Sequence, residues 1–171
     1  MALIAMTTSD TVDYVSDLDP AKVRTFVPRD ASDTAKGKIE KIEIKPGATV
    51  FKLRSLDVFM KGMIYDNSSV LKGSENSNDY GIHTKTNATN IDAVRHGLIG
   101  YENFTDAKGE PLAFDTQRVV FNGRVYEGAS DKVLNLLGIR LIQELAVEIK
   151  KMSEVTAAEE KNSDAVSAPA A

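Results

Sequence analysis

The spacing of apolar and polar residues changes character several times along this chain, and each change marks an element. Residues 1–19 carry Thr, Ser and Asp with few large apolar groups, which predicts a flexible leader. Val12, Tyr14, Val15 and Leu18 are the side chains that would dock part of it. Val23–Val27 alternates apolar with polar, the mark of a strand with one wet face, and Pro28 ends it before a polar loop over 29–37. Lys38-Ile-Glu-Lys-Ile-Glu-Ile44 sets Ile39, Ile42 and Ile44 among charges, and Lys45-Pro-Gly-Ala48 is a turn signal. Thr49–Leu53 then resumes as a strand, so the two runs read as a hairpin with a four-residue connection.

Helical spacing begins next. Ser55 is placed to cap a helix in which Leu56, Phe59, Met60, Met63 and Ile64 recur at three and four, with Asp57 near its positive end. The Ser-, Asn- and Gly-rich stretch 67–78 reads as a mobile loop or insertion. Tyr80–Thr84 is a short strand or merely extended. Asn87 or Asn90 caps a second short helix containing Ile91, Val94, Leu98 and Ile99, stopped by Gly97 or Gly100. Tyr101 and Phe104 follow at once and would plug its end. In Val119–Tyr126, Asn122-Gly123 is the preferred type I′ dipeptide between β-branched and aromatic residues, which predicts a hairpin.

Ser130 or Asp131 caps the last helix. Its apolar stripe is Leu134, Leu137, Leu141, Leu145, Ile149 and Met152, with Arg140, Glu144, Glu148 and Lys151 outside it. Side-chain pairing adds little to that helix, so its stability must come from docking the stripe. Beyond Glu154 the composition shifts to Ala, Glu, Lys, Asn and Ser, which predicts a disordered tail over 155–171. The expected architecture is α+β: a small antiparallel sheet built from two hairpins, packed by two short helices and a longer C-terminal amphipathic helix. One domain would span 20–154.

Bulk composition narrows the partners. The chain has 171 residues and a net charge of −4, with no run of Lys and Arg, which argues against a broad nucleic-acid footprint. No apolar run approaches the roughly 20 residues that cross a bilayer, and the opening Met1–Met6 lacks the basic start of a signal peptide. Cysteine is absent, so disulfides and thiolate metal sites are excluded.

Candidate chemistry is thin. Zinc would need His83 and His96 with carboxylates such as Asp79 and Asp92, yet no His pair lies at helical or hairpin spacing. The bland reading is a surface or helix-end histidine. A small hydrolase built on either histidine has no motif to assign its roles. Gly97 and Gly100 close a helix where a dinucleotide fingerprint would open one. Asp106-Ala-Lys-Gly109 lacks the alternating acidic ligands of a calcium loop and reads as a tight polar turn with Gly109 at positive φ. Glu40 and Glu43 lie on a strand of alternating charge, a solvated face. No catalytic residue, cofactor or metal is assigned.

Three segments carry a resemblance instead. They are Val50-Phe-Lys-Leu-Arg-Ser-Leu56; Val94-Arg-His-Gly-Leu-Ile-Gly-Tyr-Glu-Asn-Phe-Thr-Asp-Ala-Lys-Gly109; and Leu141–Ile149 followed by Glu159-Glu-Lys-Asn-Ser163. Together, over about half the chain, they resemble small tail-region proteins of tailed bacteriophages, several of which are similar to tail assembly chaperones. Such proteins often carry a Trp where Tyr101 stands. The long leader and the 67–78 stretch depart from the pattern and would suit a protein built into the particle. The resemblance implies a non-enzymatic protein of the host cytoplasm that coats the helical tape measure protein, or meets tube subunits, with self-association an open option. The coating surface would be Tyr101 and Phe104 with the stripe Leu134, Leu137, Leu141, Leu145 and Ile149. The alternative is a virion protein: a head–tail connector, tube or decoration subunit.

Overall fold

The computed structural model describes residues 11–28, 38–66, 68–73, 80–121 and 123–154. In chain order the strands are β1 (Thr11–Tyr14), β2 (Lys22–Pro28), β3 (Lys38–Ile44), β4 (Val50–Arg54), β5 (Ser69–Gly73), β6 (Tyr80–Thr84), β7 (Leu98–Glu102), β8 (Thr116–Phe121) and β9 (Arg124–Ala129). The helices are α1 (Val58–Asp66), α2 (Thr86–Gly97) and α3 (Asp131–Met152). The class is α+β, with small antiparallel sheets and a longer C-terminal helix, as the hydrophobic pattern predicts. Among the described residues no helix is long and apolar enough to cross a membrane.

β4 is the hub. Its residues alternate between core and half-exposed positions, and Phe51 and Leu53 point inward to full burial. β1 pairs with one edge of β4 and β7 with the other, both antiparallel. Thr11–Tyr14 is a strand inside the leader expected over 1–19, so that part is not flexible; of the residues expected to dock it, Val15 is buried and Tyr14 half-buried, while Val12 and Leu18 are exposed. What ties it down is Glu144 on α3, a residue outside the predicted stripe. Its carboxylate accepts from Tyr14 Oη at 2.8 Å, Ser16 Oγ at 2.7 Å and the Asp17 amide at 2.6 Å. Residues 1–10 and the predicted tail 155–171 lie outside the described residues.

Strand pairing differs from the predicted first hairpin. β3 pairs with β2, in register from Lys22 opposite Ile44 to Pro28 opposite Lys38. The Lys45–Ala48 turn hands the chain to another sheet instead of folding it back. The Thr49 amide donates to Asp19 Oδ2 at 2.7 Å and Asn103 Nδ2 donates to the Ala48 carbonyl at 3.0 Å, which hold β4 between β1 and β7. The physical reason is demand for core: Phe51 and Leu53 are wholly buried, whereas Ile42 and Ile44 of β3 stay about half exposed. Part of the predicted 67–78 loop is also strand, since β5 pairs with β6 from Ser69–Thr84 to Gly73–Tyr80. The β8–β9 hairpin forms as predicted, with Gly123 at φ +74°.

The helices obey local chemistry with two shifts. Asp57, not Ser55, caps α1, its carboxylate accepting from the amides of Phe59 and Met60 at 2.9 and 2.8 Å. α2 starts at Thr86 without a side-chain cap, so neither Asn87 nor Asn90 caps it, and it stops at Gly97. Leu98 and Ile99 therefore belong to a strand. Ser130 caps α3 as predicted, accepting from the Val133 amide.

α3 is bent at Gly138, whose φ of 70° and ψ of 162° fall in a region open essentially only to glycine. The kink changes the phase of the stripe. Val133, Leu134 and Leu137 face the core before it, and Ile142, Leu145, Ala146 and Ile149 after it. Leu141, one place off the new line, is only partly buried.

Candidate functional site

The end of β7 turns into a compact aromatic corner. Asn103 follows the strand in the left-handed region at φ 56°, a conformation its short amide side chain tolerates. Its Nδ2 is anchored on the Ala48 carbonyl, and its own carbonyl accepts from Thr49 Oγ1 at 3.2 Å. That reversal sends Phe104 back beneath the sheet. Phe104 meets Tyr101 edge-to-face at 5.0 Å and Phe51 at 5.8 Å, while Phe114 closes on Tyr101 at 5.3 Å. Such ring pairs add about 0.5–1.5 kcal/mol each beyond area burial. The Tyr101 hydroxyl donates to the Ala113 carbonyl at 2.9 Å, and burial, with Asp115 nearby, raises its pKa above the usual value.

The Asp106–Gly109 turn holds the return path. Asp106 Oδ1 accepts from the amides of Lys108 and Glu110 at 2.8 and 2.9 Å, and Gly109 sits at φ +83°. Those bonds use Asp106 Oδ1 as a turn device, giving the tight polar turn the sequence predicts. The Leu112 amide then donates to the Phe104 carbonyl at 2.9 Å.

Beside this corner lies an open hollow of about 340 Å³, walled by Leu18, Pro20, Phe51, Phe104 and Leu141, with Ser16, Asp19 and Thr49 at its polar side. The polar wall is already engaged internally. Asp19 accepts from the amides of Ala21 and Thr49, and Ser16 Oγ donates to Glu144 while accepting from the Leu18 amide. An apolar side chain would therefore enter the hollow without competing for those bonds.

The predicted contact residues separate into two groups. Tyr101 and Phe104 join in the corner, and Leu141 shares the hollow with Phe104. Leu134, Leu137, Leu145 and Ile149 are at most 7% exposed and form this protein's own core, so the stripe is not a free coating surface. The sequence signal for that outcome was Gly138, which splits the stripe and turns both halves inward. The outer side of α3 instead exposes Leu136, Ile139 and Val147, which the stripe did not include.

Packing also accounts for the motif Arg95-His-Gly97. Arg95 ties the end of α2 to the start of α3, donating to Asp131 Oδ1 at 2.6 Å and to the Ala129 carbonyl. His96 is 1% exposed and lies edge-to-face on Tyr126 at 5.8 Å. Its Nδ1 is buried without a hydrogen-bond partner, and burial, then the cations Arg95 and Arg54, hold its pKa below the usual value. It is a neutral core histidine. His83 lies on β6 opposite Val70. Asp92 is raised in pKa by burial, with Arg95 opposing; Asp79 lies outside the described residues. No group of three or more His, Asp or Glu side chains suited to a metal occurs among the described residues.

Comparisons with protein families, with curated proteins and with solved structures found no match for this chain.

Proposed function

We propose that this protein is a non-enzymatic tail assembly protein of a tailed bacteriophage, acting in the host cytoplasm as a chaperone of the tape measure protein. One observation supports the reading above others: the described parts of the segments that carry the resemblance converge on a single packed unit. β4 of the first pairs with β7 of the second, and Phe51 interlocks with Tyr101 and Phe104. Ile149 of the third lies directly against Gly97. The Leu56 amide donates to Ser153 Oγ at 2.8 Å, which closes the unit at the end of α3.

In this reading the client is held by the surface that remains free. The hollow beside Phe104 and Leu141 takes apolar side chains of an amphipathic helix, and Leu18, about half exposed at its rim, widens that contact. The test is co-expression with the tape measure protein of the same phage, with Leu18→Glu as the contact variant. Capture by the wild type and weakened capture by the folded variant support the proposal. No capture, together with a fixed copy number of the protein in purified particles, sinks it. A virion subunit is the second reading, favoured by the β2–β3 ribbon, whose described apolar residues stand outside the core.

A further inference from the structure

Among the described side chains the β2–β3 ribbon contributes none to the buried core, yet one of its faces carries Phe26, Ile42 and Ile44 at 63%, 48% and 54% exposure. A two-stranded ribbon on its own is marginal in water, and a wider sheet with an apolar face is not. The ribbon is tied at its base: Lys22 Nζ donates to the Val15 carbonyl at 2.7 Å, and Arg24 pairs with Asp17 and with Glu40. Its long edges are open, since among the described residues no strand pairs with the outer side of β2 or β3.

We infer that the outer edge of β3 is a self-association site, at which two copies of this chain pair antiparallel about Ile42 into a four-stranded sheet. The direction of the backbone groups comes first. The Lys45 amide donates to the Ala21 carbonyl at 2.9 Å, one residue past the last ladder pair. Alternation from there aims the amide and carbonyl of Ile44, Ile42 and Glu40 away from β2. Ile42 thus exchanges both bonds with Ile42 of the second copy, and Glu40 and Ile44 do so with each other.

Charge then favours this register among those centred on Glu40 to Ile44, the part of β3 whose side chains are described. A closed two-fold pairing must place a residue opposite its own copy, because directly opposed side chains share a face. Centring on Glu40, Lys41 or Glu43 opposes like charges at the axis. Centring on Ile44 runs the ladder into Pro46, which has no amide to donate. Centring on Ile42 brings Ile42 onto Ile42 and sets Lys41 across from Glu43 twice, once on each side of the axis. Lys41, Ile42 and Glu43 are all exposed and free to meet a partner strand. The joined sheet also sets the Ile42 side chains of the two copies against each other on the face that carries Phe26 and Ile44. This inference does not depend on the phage reading.

The experiment is sedimentation equilibrium of the full chain, as wild type, Lys41→Glu, Glu43→Lys, the double variant, and an equimolar mixture of the two single variants. The expected wild-type state is a dimer. Each single variant opposes like charges twice and weakens dimerisation about tenfold, equal to about 1.4 kcal/mol. The double variant restores it by exchanging the charges. The mixture restores it too, because opposite charges again face each other on both sides of the axis when one copy of each variant pairs. A monomeric wild type overturns the inference and leaves the edge to a strand of another protein. A dimer indifferent to both charge reversals overturns it as well, and circular dichroism separates either outcome from misfolding.

Discussion

Replacing Gly97 by alanine tests the packing of α2 on α3, the contact on which the proposed unit depends. A Cβ built on Gly97 would lie 2.5 Å from Ile149 Cγ2, 2.8 Å from Cδ1 and 2.9 Å from Cγ1. Ordinary carbon contacts lie near 3.5–4.0 Å, so Ile149 must retreat by about 1 Å. It has nowhere to go, because it is wholly buried beneath the core. Overpacking of this kind costs about 1–3 kcal/mol, against a helix-propensity gain of at most about 1 kcal/mol at a helix end. The clash wins, and the net loss is about 1–2 kcal/mol.

Urea unfolding followed by circular dichroism is the assay, and the midpoint should fall by about 0.5–1 M if the slope is about 2 kcal/mol/M. Gly62→Ala is the control. Gly62 is also helical, but a Cβ there meets nothing within 4 Å, so that variant should gain about 0.5–1 kcal/mol. Ile149→Ala removes all three opposing carbons at its own cost of about 2–5 kcal/mol. The double variant with Gly97→Ala should then be less damaged than the sum, by about 1–2 kcal/mol. Equal stability of wild type and Gly97→Ala, or strict additivity in the double variant, would refute the close-contact argument.

Other outcomes follow from single interactions. Glu144→Gln leaves one carbonyl oxygen to serve Tyr14, Ser16 and Asp17, so β1 should loosen; hydrogen exchange at amides 11–17 should quicken while the α3 core stays protected. His96 has its folded pKa held below the usual 6.5, so its contribution to stability is present above pH 6.5 and lost as pH falls through the folded value. Proton NMR should show the ring titrating below 6.5, and denaturation midpoints should drop over the same range. An imidazole that titrates at or above its usual value would contradict the buried, neutral assignment. Ser130→Ala removes the acceptor for the Val133 amide and should cost about 1 kcal/mol in thermal unfolding, as N-cap losses do.

What the sequence determined by itself was local chemistry. Alternation placed β2, Asn122-Gly123 placed the β8–β9 turn, Ser130 opened α3, and Asp106–Gly109 closed a polar turn, since each depends on residues a few positions apart. Partners distant in the chain were decided only in three dimensions. The run 38–44 looked like the natural mate of the next strand, but the core had room for Phe51 and Leu53 and not for Ile42 and Ile44. Tyr14 stood out as a residue that would dock the leader, but its partner Glu144 lies 130 positions away, which no local pattern names. The Leu stripe announced that α3 would bury a face, while the bend at Gly138 decided which residues lie on it. That bend left Leu141 beside the aromatic corner and its neighbours inside, because burial depends on the assembled sheet and helices rather than on helical period alone.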